Sequence, residues 1–171
     1  MNFEDTTKAT PNPLMYRQCT ILIADDDEND IFFAKRAFSD INVHCTFQIL
    51  KNGQEVVDYL DGANEYADRQ KYPLPMLILM ALQMPIMDGF QVLAWLRSRE
   101  GIKVIPTIIF SSSDQPTEIT RAYELGANSF MTKSVTYDGL LIKLQTLSQY
   151  WLEHCKHPQV ADACGSNRAI A

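Results

Sequence analysis

Asp25-Asp26, Ser111 and Lys133 are the residues of this chain whose types suit charged-ligand chemistry, and each directly follows a short apolar run. Carboxylate oxygens hold a hard cation such as Mg²⁺, whereas a hydroxyl and an ammonium contact phosphate oxygens. A rim carrying all of them fits a hard cation beside a phosphoryl group. A fourth apolar run carries Ala81 at the corresponding place, and its side chain has no polar atom.

Such residues share one rim only if the runs are adjacent strands. Thr20–Ala24 is an apolar run of the kind buried on both faces of a parallel sheet. Phe33, Ala34, Ala37, Phe38 and Ile41 then fall at helical spacing. Val43, Cys45, Phe47 and Ile49 alternate with polar residues, which predicts an edge strand with one wet face. A short helix over 54–60 follows, then a polar loop holding Asp61-Gly62, Pro73 and Pro75. Residues 76–82 are the most apolar stretch and predict a central strand. Val92, Leu93 and Leu96 mark a third helix. Residues 105–110 predict a fourth strand, with Pro106 near its start, where a missing donor is tolerated. Ile119, Ala122 and Tyr123 predict a fourth helix closed by Gly126. Ser129–Thr132 reads as a fifth strand, and Leu140, Leu144, Leu147 and Trp151 line the buried face of a last helix.

Strands alternating with helices predict an α/β fold, a parallel sheet covered on both faces. Right-handed crossovers make it doubly wound, and ligands bind such sheets at the carboxyl ends of the strands. The 171 residues hold one domain, expected over 19–153. Residues 1–18, polar and broken by Pro11 and Pro13, read as a flexible lead-in, and 154–171 as a tail.

Apolar residues at 46% and charged residues at 21% fit a globular chain. A net charge of −6 disfavours binding nucleic acid by bulk charge. No apolar run is long enough to span a bilayer, and residues 1–16 lack the basic start and apolar core of a signal peptide. A soluble cytoplasmic chain is expected. Cys19, Cys45, Cys155 and Cys164 show no CxxC pair and no metal-ligand spacing, so reduced thiols are expected.

The run Ile21-Leu22-Ile23-Ala24-Asp25-Asp26-Asp27 resembles the first strand and acidic pair of response-regulator receiver domains. The segment from Leu77 through Ala81-Leu82-Gln83-Met84-Pro85-Ile86-Met87-Asp88-Gly89 to Phe90 is similar to the family's central signature. Phe110-Ser111-Ser112, Gly126-Ala127-Asn128 and Phe130-Met131-Thr132-Lys133 match the remaining landmarks in order, so the resemblance covers residues 19–153.

The resemblance implies a five-stranded flavodoxin-like fold of strand order 2-1-3-4-5 and a place in a two-component phosphorelay. It implies that Asp25 and Asp26 hold Mg²⁺, joined by the backbone carbonyl of Gln83. Ser111 would be the switch hydroxyl, Phe130 its aromatic partner and Lys133 the phosphate contact. In the family, an aspartate four residues before the Met-Pro proline takes phosphate from a histidine kinase; in this chain that position is Ala81. A methyl group has no nucleophilic oxygen, so no acyl phosphate forms there, and the Mg²⁺ site lacks its third carboxylate. Ala81 is either a natural loss or a substitution made to block phosphorylation, and the intact motifs around it fit a recent or engineered change better than long drift. Ser134 stands where the family commonly has proline. A trans Lys133–Ser134 bond is expected, because a non-proline cis bond costs about 3 kcal/mol.

Blander readings take the other acidic residues. Asp27, Glu28 and Asp30 suit a solvated helix start, and Asp88-Gly89 a turn and helix cap. The run 25–30 lacks the glycine and glutamate of a calcium loop. The expected function is a stand-alone, non-enzymatic module that docks a histidine kinase and forms a homodimer. The long loop of residues 62–75 and the ending Tyr150-Trp151-Leu152 resemble regulators that partner bacterial phytochromes. The rival is a small-ligand or flavin carrier on the same fold. It would need phosphate-cradling loops after the first strand, where this chain has aspartates.

Overall fold

The structure, a computed structural model, describes residues 19–158. The expected lead-in 1–18, and residues 159–171 of the expected tail with Cys164, lie outside the described residues.

Five strands, β1 (Thr20–Ala24), β2 (Thr46–Leu50), β3 (Leu77–Met80), β4 (Thr107–Ser111) and β5 (Ser129–Thr132), form one sheet in the order β2-β1-β3-β4-β5. Every neighbouring pair is parallel. The helices α1 (Glu28–Asp40), α2 (Gly53–Asp61), α3 (Gly89–Arg97), α4 (Pro116–Glu124) and α5 (Tyr137–Ser148) alternate with them, and α5 continues into a π-helical turn, Gln149–His154. The expected fold and strand order are those found.

β1, β3 and β4 are buried at every position, which explains their unbroken apolar sequence. Successive side chains point to opposite faces. Leu22, Ile78 and Ile109 pack with Val56, Leu93 and Leu96 on one side of the sheet. Ile21, Leu79 and Ile108 pack with Ala34, Phe38 and Leu144 on the other. Each fully buried Leu, Ile or Phe contributes roughly 1.5–3 kcal/mol of transfer free energy.

Strand ends shift for local reasons. β2 starts at Thr46, because Val43 N–H still donates to Phe38 C=O at 2.9 Å across a turn in which Asn42 takes φ 59°. β3 stops at Met80, and Leu82 C=O accepts from Gly89 N–H at 2.8 Å instead of pairing in the sheet. Pro106 precedes β4, offering only its carbonyl, which accepts from Ile78 N–H at 2.9 Å.

Arg97 ties the end of α3 to the rest. Its Nε donates to Gly126 C=O at 2.9 Å, and its guanidinium nitrogens donate to Ile105 C=O at 3.1 Å and Asn128 Oδ1 at 3.0 Å. Gly126 follows α4 with φ 93°, and a Cβ there would stand 2.7 Å from Arg97 Cγ, so both backbone and packing require glycine. Trp151 is half-buried in the π-helical turn and packs against the α1–α5 side of the core.

Cys19 and Cys45 form a disulfide, which corrects the expectation of reduced thiols for that pair. The β1–β2 register pairs Thr20 with Thr46 and so sets Cys19 opposite Cys45, with Cα atoms 5.1 Å apart. That separation lies within the span a disulfide bridges. Cys155 is free. Among the described residues, no helix is long and apolar enough to cross a membrane.

Candidate functional site

The carboxyl ends of β1, β3 and β4 open onto a cleft of ≈ 520 Å³. Asp25, Asp26, Ala81, Gln83, Ser111 and Lys133 all line it, so six of the seven singled-out residues meet. Phe130 does not line it. The β4–β5 register pairs Ser111 with Thr132 and Ile109 with Phe130, which leaves Phe130 two residues back from the rim. Its ring packs with the core on the α2–α3–α4 side, and its N–H donates to the Tyr123 hydroxyl at 3.2 Å.

Asp25 is set by the sheet, its N–H donating to Leu50 C=O at 3.0 Å. Asp25 is buried, and its Oδ1 accepts from Asp27 N–H at 3.1 Å. Oδ2 lies 2.6 Å from Lys133 Nζ. Burial raises the Asp25 pKa above the usual aspartate range, and the hydrogen bond from Lys133 offsets only part of that. Asp26 is exposed at the mouth. Asp27 caps α1, accepting from Asn29 N–H at 2.8 Å, and that bond lowers its pKa. This is the helix-start role expected of it.

Asp30 behaves differently. It stands in the first turn of α1, yet its Oδ2 lies 2.6 Å from Lys133 Nζ. Its sequence position alone fits a solvated helix start. Only the packing of α1 beside the loop after β5 joins residues 103 apart in sequence, and no local pattern signals it.

Lys133 is held at its backbone by N–H donation to Ser111 C=O at 2.7 Å. Burial disfavours its ammonium, but the hydrogen bonds to Asp25 and Asp30 outweigh that and keep its pKa above the usual lysine value. No cis peptide bond occurs among the described residues, so Lys133–Ser134 is trans as expected. Ser111 is 5% exposed, and its Oγ accepts from Ser113 N–H at 3.2 Å.

Ala81 follows β3 directly and is 5% exposed, with its N–H donating to Ala24 C=O at 2.9 Å. Gln83, Met84 and Pro85 continue the rim beyond it. Asp88 caps α3 in a capping box, accepting from Gln91 N–H at 2.8 Å while Gln91 Oε1 accepts from Asp88 N–H at 2.9 Å. The cap reading of Asp88 is the one found.

Residues 21–145 match the family described as the response regulator receiver domain. The chain belongs to that family. This receiver is 29% identical over 133 residues to response regulator Rcp1 of Synechocystis sp. (strain ATCC 27184 / PCC 6803 / Kazusa), covering 78% of this chain and 88% of Rcp1. It matches the structure of the phosphorylated cyanobacterial phytochrome response regulator RcpA with a TM-score of 0.77 and 29% identity, over 82% of this chain and 98% of RcpA. The Mn²⁺-bound form of Rcp1 matches with a TM-score of 0.74 and 28% identity, over 82% of this chain and 99% of that one.

Among the described residues, no three His, Cys, Asp or Glu side chains are grouped to hold a metal ion. One oxygen of Asp25 is also engaged by Lys133. Mg²⁺ keeps several waters when bound by one or two carboxylates. The donor set therefore fits a hydrated ion on Asp25 and Asp26, and falls short of a three-carboxylate site.

Proposed function

We propose that this receiver, comprising residues 19–153, docks a histidine kinase of the phytochrome type and accepts no phosphate at residue 81. One observation carries the reading: Ala81, which has no side-chain oxygen, lines a cleft shared with Asp25, Ser111 and Lys133, where phosphoryl transfer requires a nucleophilic oxygen. Asp25 and Asp26, with the Gln83 carbonyl, are the ligands for a hydrated Mg²⁺, whose charge would neutralise phosphate oxygens. Ser111 and Lys133 are the groups for phosphate contact, with Phe130 as the aromatic partner of Ser111.

Likeness to RcpA, a phytochrome response regulator, supports the choice of kinase. The domain works as a binding module and not as an enzyme. Without a phosphoryl group, nothing differentially stabilises a switched conformation, so the domain stays in its unphosphorylated state. Exposed Tyr123 on α4 and Ile142 on α5 offer apolar contacts for a homodimer.

The test uses a phytochrome-type histidine kinase of the host, autophosphorylated with radiolabelled phosphate. The expected result is saturable binding of the kinase while the label stays on the kinase histidine. Label appearing on this chain, or no binding at all, overturns the reading.

A further inference from the structure

A cavity of ≈ 250 Å³ lies at the opposite end of the sheet from the acidic cleft. One wall is the turn Ile41-Asn42-Val43, which leads from α1 to the amino end of β2. The other is one stripe of α5 and its π-helical turn. Gln145, Ser148, Gln149, Leu152 and Glu153 recur there at i, i+3, i+4, i+7 and i+8. Ile41, Val43 and Leu152 are half-buried and pack on the core beneath α1 and α5, so the floor is apolar.

Ser148 makes this cavity more than a packing gap. It is 4% exposed, and its hydroxyl has no hydrogen-bond partner among the described residues. A helical serine or threonine can satisfy its hydroxyl on the carbonyl one turn back. Thr146 does so on Ile142 C=O at 2.9 Å, whereas Ser148 makes no such bond. A buried hydroxyl left unpaired costs stability, and an occupant that pairs with it recovers that cost. The lining also selects charge. Glu153 is its one charged side chain and joins no ion pair among the described residues. Asn42, Gln145 and Gln149 are neutral, and no lysine, arginine or histidine lines the cavity to hold an anion.

We propose that this cavity binds a small aliphatic ammonium compound. Its hydrocarbon part covers Ile41, Val43 and Leu152, burying apolar surface on both sides. Its ammonium, with several N–H donors, serves the Glu153 carboxylate and the Ser148 hydroxyl oxygen together. The site is separate from the acidic cleft and does not depend on residue 81.

The experiment titrates the full chain with isoamylamine, isoamyl alcohol and isovalerate, which share a branched carbon skeleton and differ in head group. Amide NMR reads the response. The expected result is saturable shifts at Val43, Ser148 and Leu152 with the amine, weaker ones with the alcohol, and none with isovalerate. Ser148→Ala should bind the amine roughly five-fold more weakly, yet melt no lower than the parent, because it removes an unpaired hydroxyl. Glu153→Gln, at an exposed position, should weaken the amine roughly three-fold and leave the alcohol unchanged. Isovalerate binding as tightly as the amine overturns the proposal, as does an amine affinity that neither variant changes. Shifts confined to the acidic cleft, or no saturable shift with any probe, overturn the site itself.

Discussion

Lys133 and Asp25 form the least exposed ion pair among the described residues, with Nζ 2.6 Å from Oδ2 and side chains 16% and 7% exposed. Burial opposes both charges, yet the outcome differs between the partners. Asp25 has one ammonium, and burial wins, raising its pKa. Lys133 has two carboxylates, and pairing wins over burial to raise its pKa. Removing Lys133 therefore leaves a desolvated carboxylate with no cation. Lys133→Met is expected to lower the unfolding free energy at pH 7 by roughly 3 kcal/mol, and adding Asp25→Asn should recover most of it. Urea unfolding of the single and double variants in metal-free buffer checks this. A loss of well under 1 kcal/mol, the size typical of exposed pairs, would contradict it.

Tyr59 gives the fold an alkaline limit. Its hydroxyl donates to Pro73 C=O at 2.6 Å, and burial pushes its pKa up to about 12. The unfolded chain releases this proton near pH 10. The native state favours the neutral phenol, so its contribution is complete below pH 10 and is lost as pH rises from there to about 12. The total is roughly 2–3 kcal/mol. Tyr59→Phe should be less stable at neutral pH and lose part of this alkaline slope. Parallel melts across that range decide it, and equal slopes would contradict the assignment.

The sheet was legible in the sequence because its cues are local. The runs at 21–24 and 77–80 are apolar because both faces of their strands are covered, and the residues that follow them had to lie on one rim. Asp30 was not legible as a partner of Lys133. Its position in a helix start satisfies a local rule, while its ion pair depends on how α1 packs against the segment after β5. The Cys19–Cys45 bridge was hidden for a related reason. Their spacing matches no motif, and only the parallel register of β1 with β2 sets them side by side. Phe130 carried a motif position, but its place behind the rim follows from register, which the motif does not specify.

The disulfide should contribute measurably to stability. It closes a loop with a sequence separation of 26, for which chain entropy gives roughly 3–4 kcal/mol. Cys19→Ser should lower the unfolding free energy by about that amount, and a reductant should lower the parent to the same level. Parent melts that are unchanged by reductant would contradict this contribution.

Ala81 bears on stability as well as chemistry. A carboxylate at that position would join Asp25 and Asp26 in a cleft with Lys133 as its cation. Ala81→Asp should lower the unfolding free energy without metal by roughly 1 kcal/mol, or about 3 °C in melting temperature. Mg²⁺ should restore the loss. A higher melting temperature for the variant in metal-free buffer would show that repulsion in the cleft is not relieved by alanine.

In the proposed function, residue 81 alone separates this cleft from a phosphorylatable receiver. The most direct test treats the parent and Ala81→Asp with a small-molecule phosphodonor and Mg²⁺, then weighs each intact by mass spectrometry. The expected result is an unchanged parent and a variant that gains one base-labile phosphoryl group. A phosphorylated parent, or a variant that gains nothing, would contradict it.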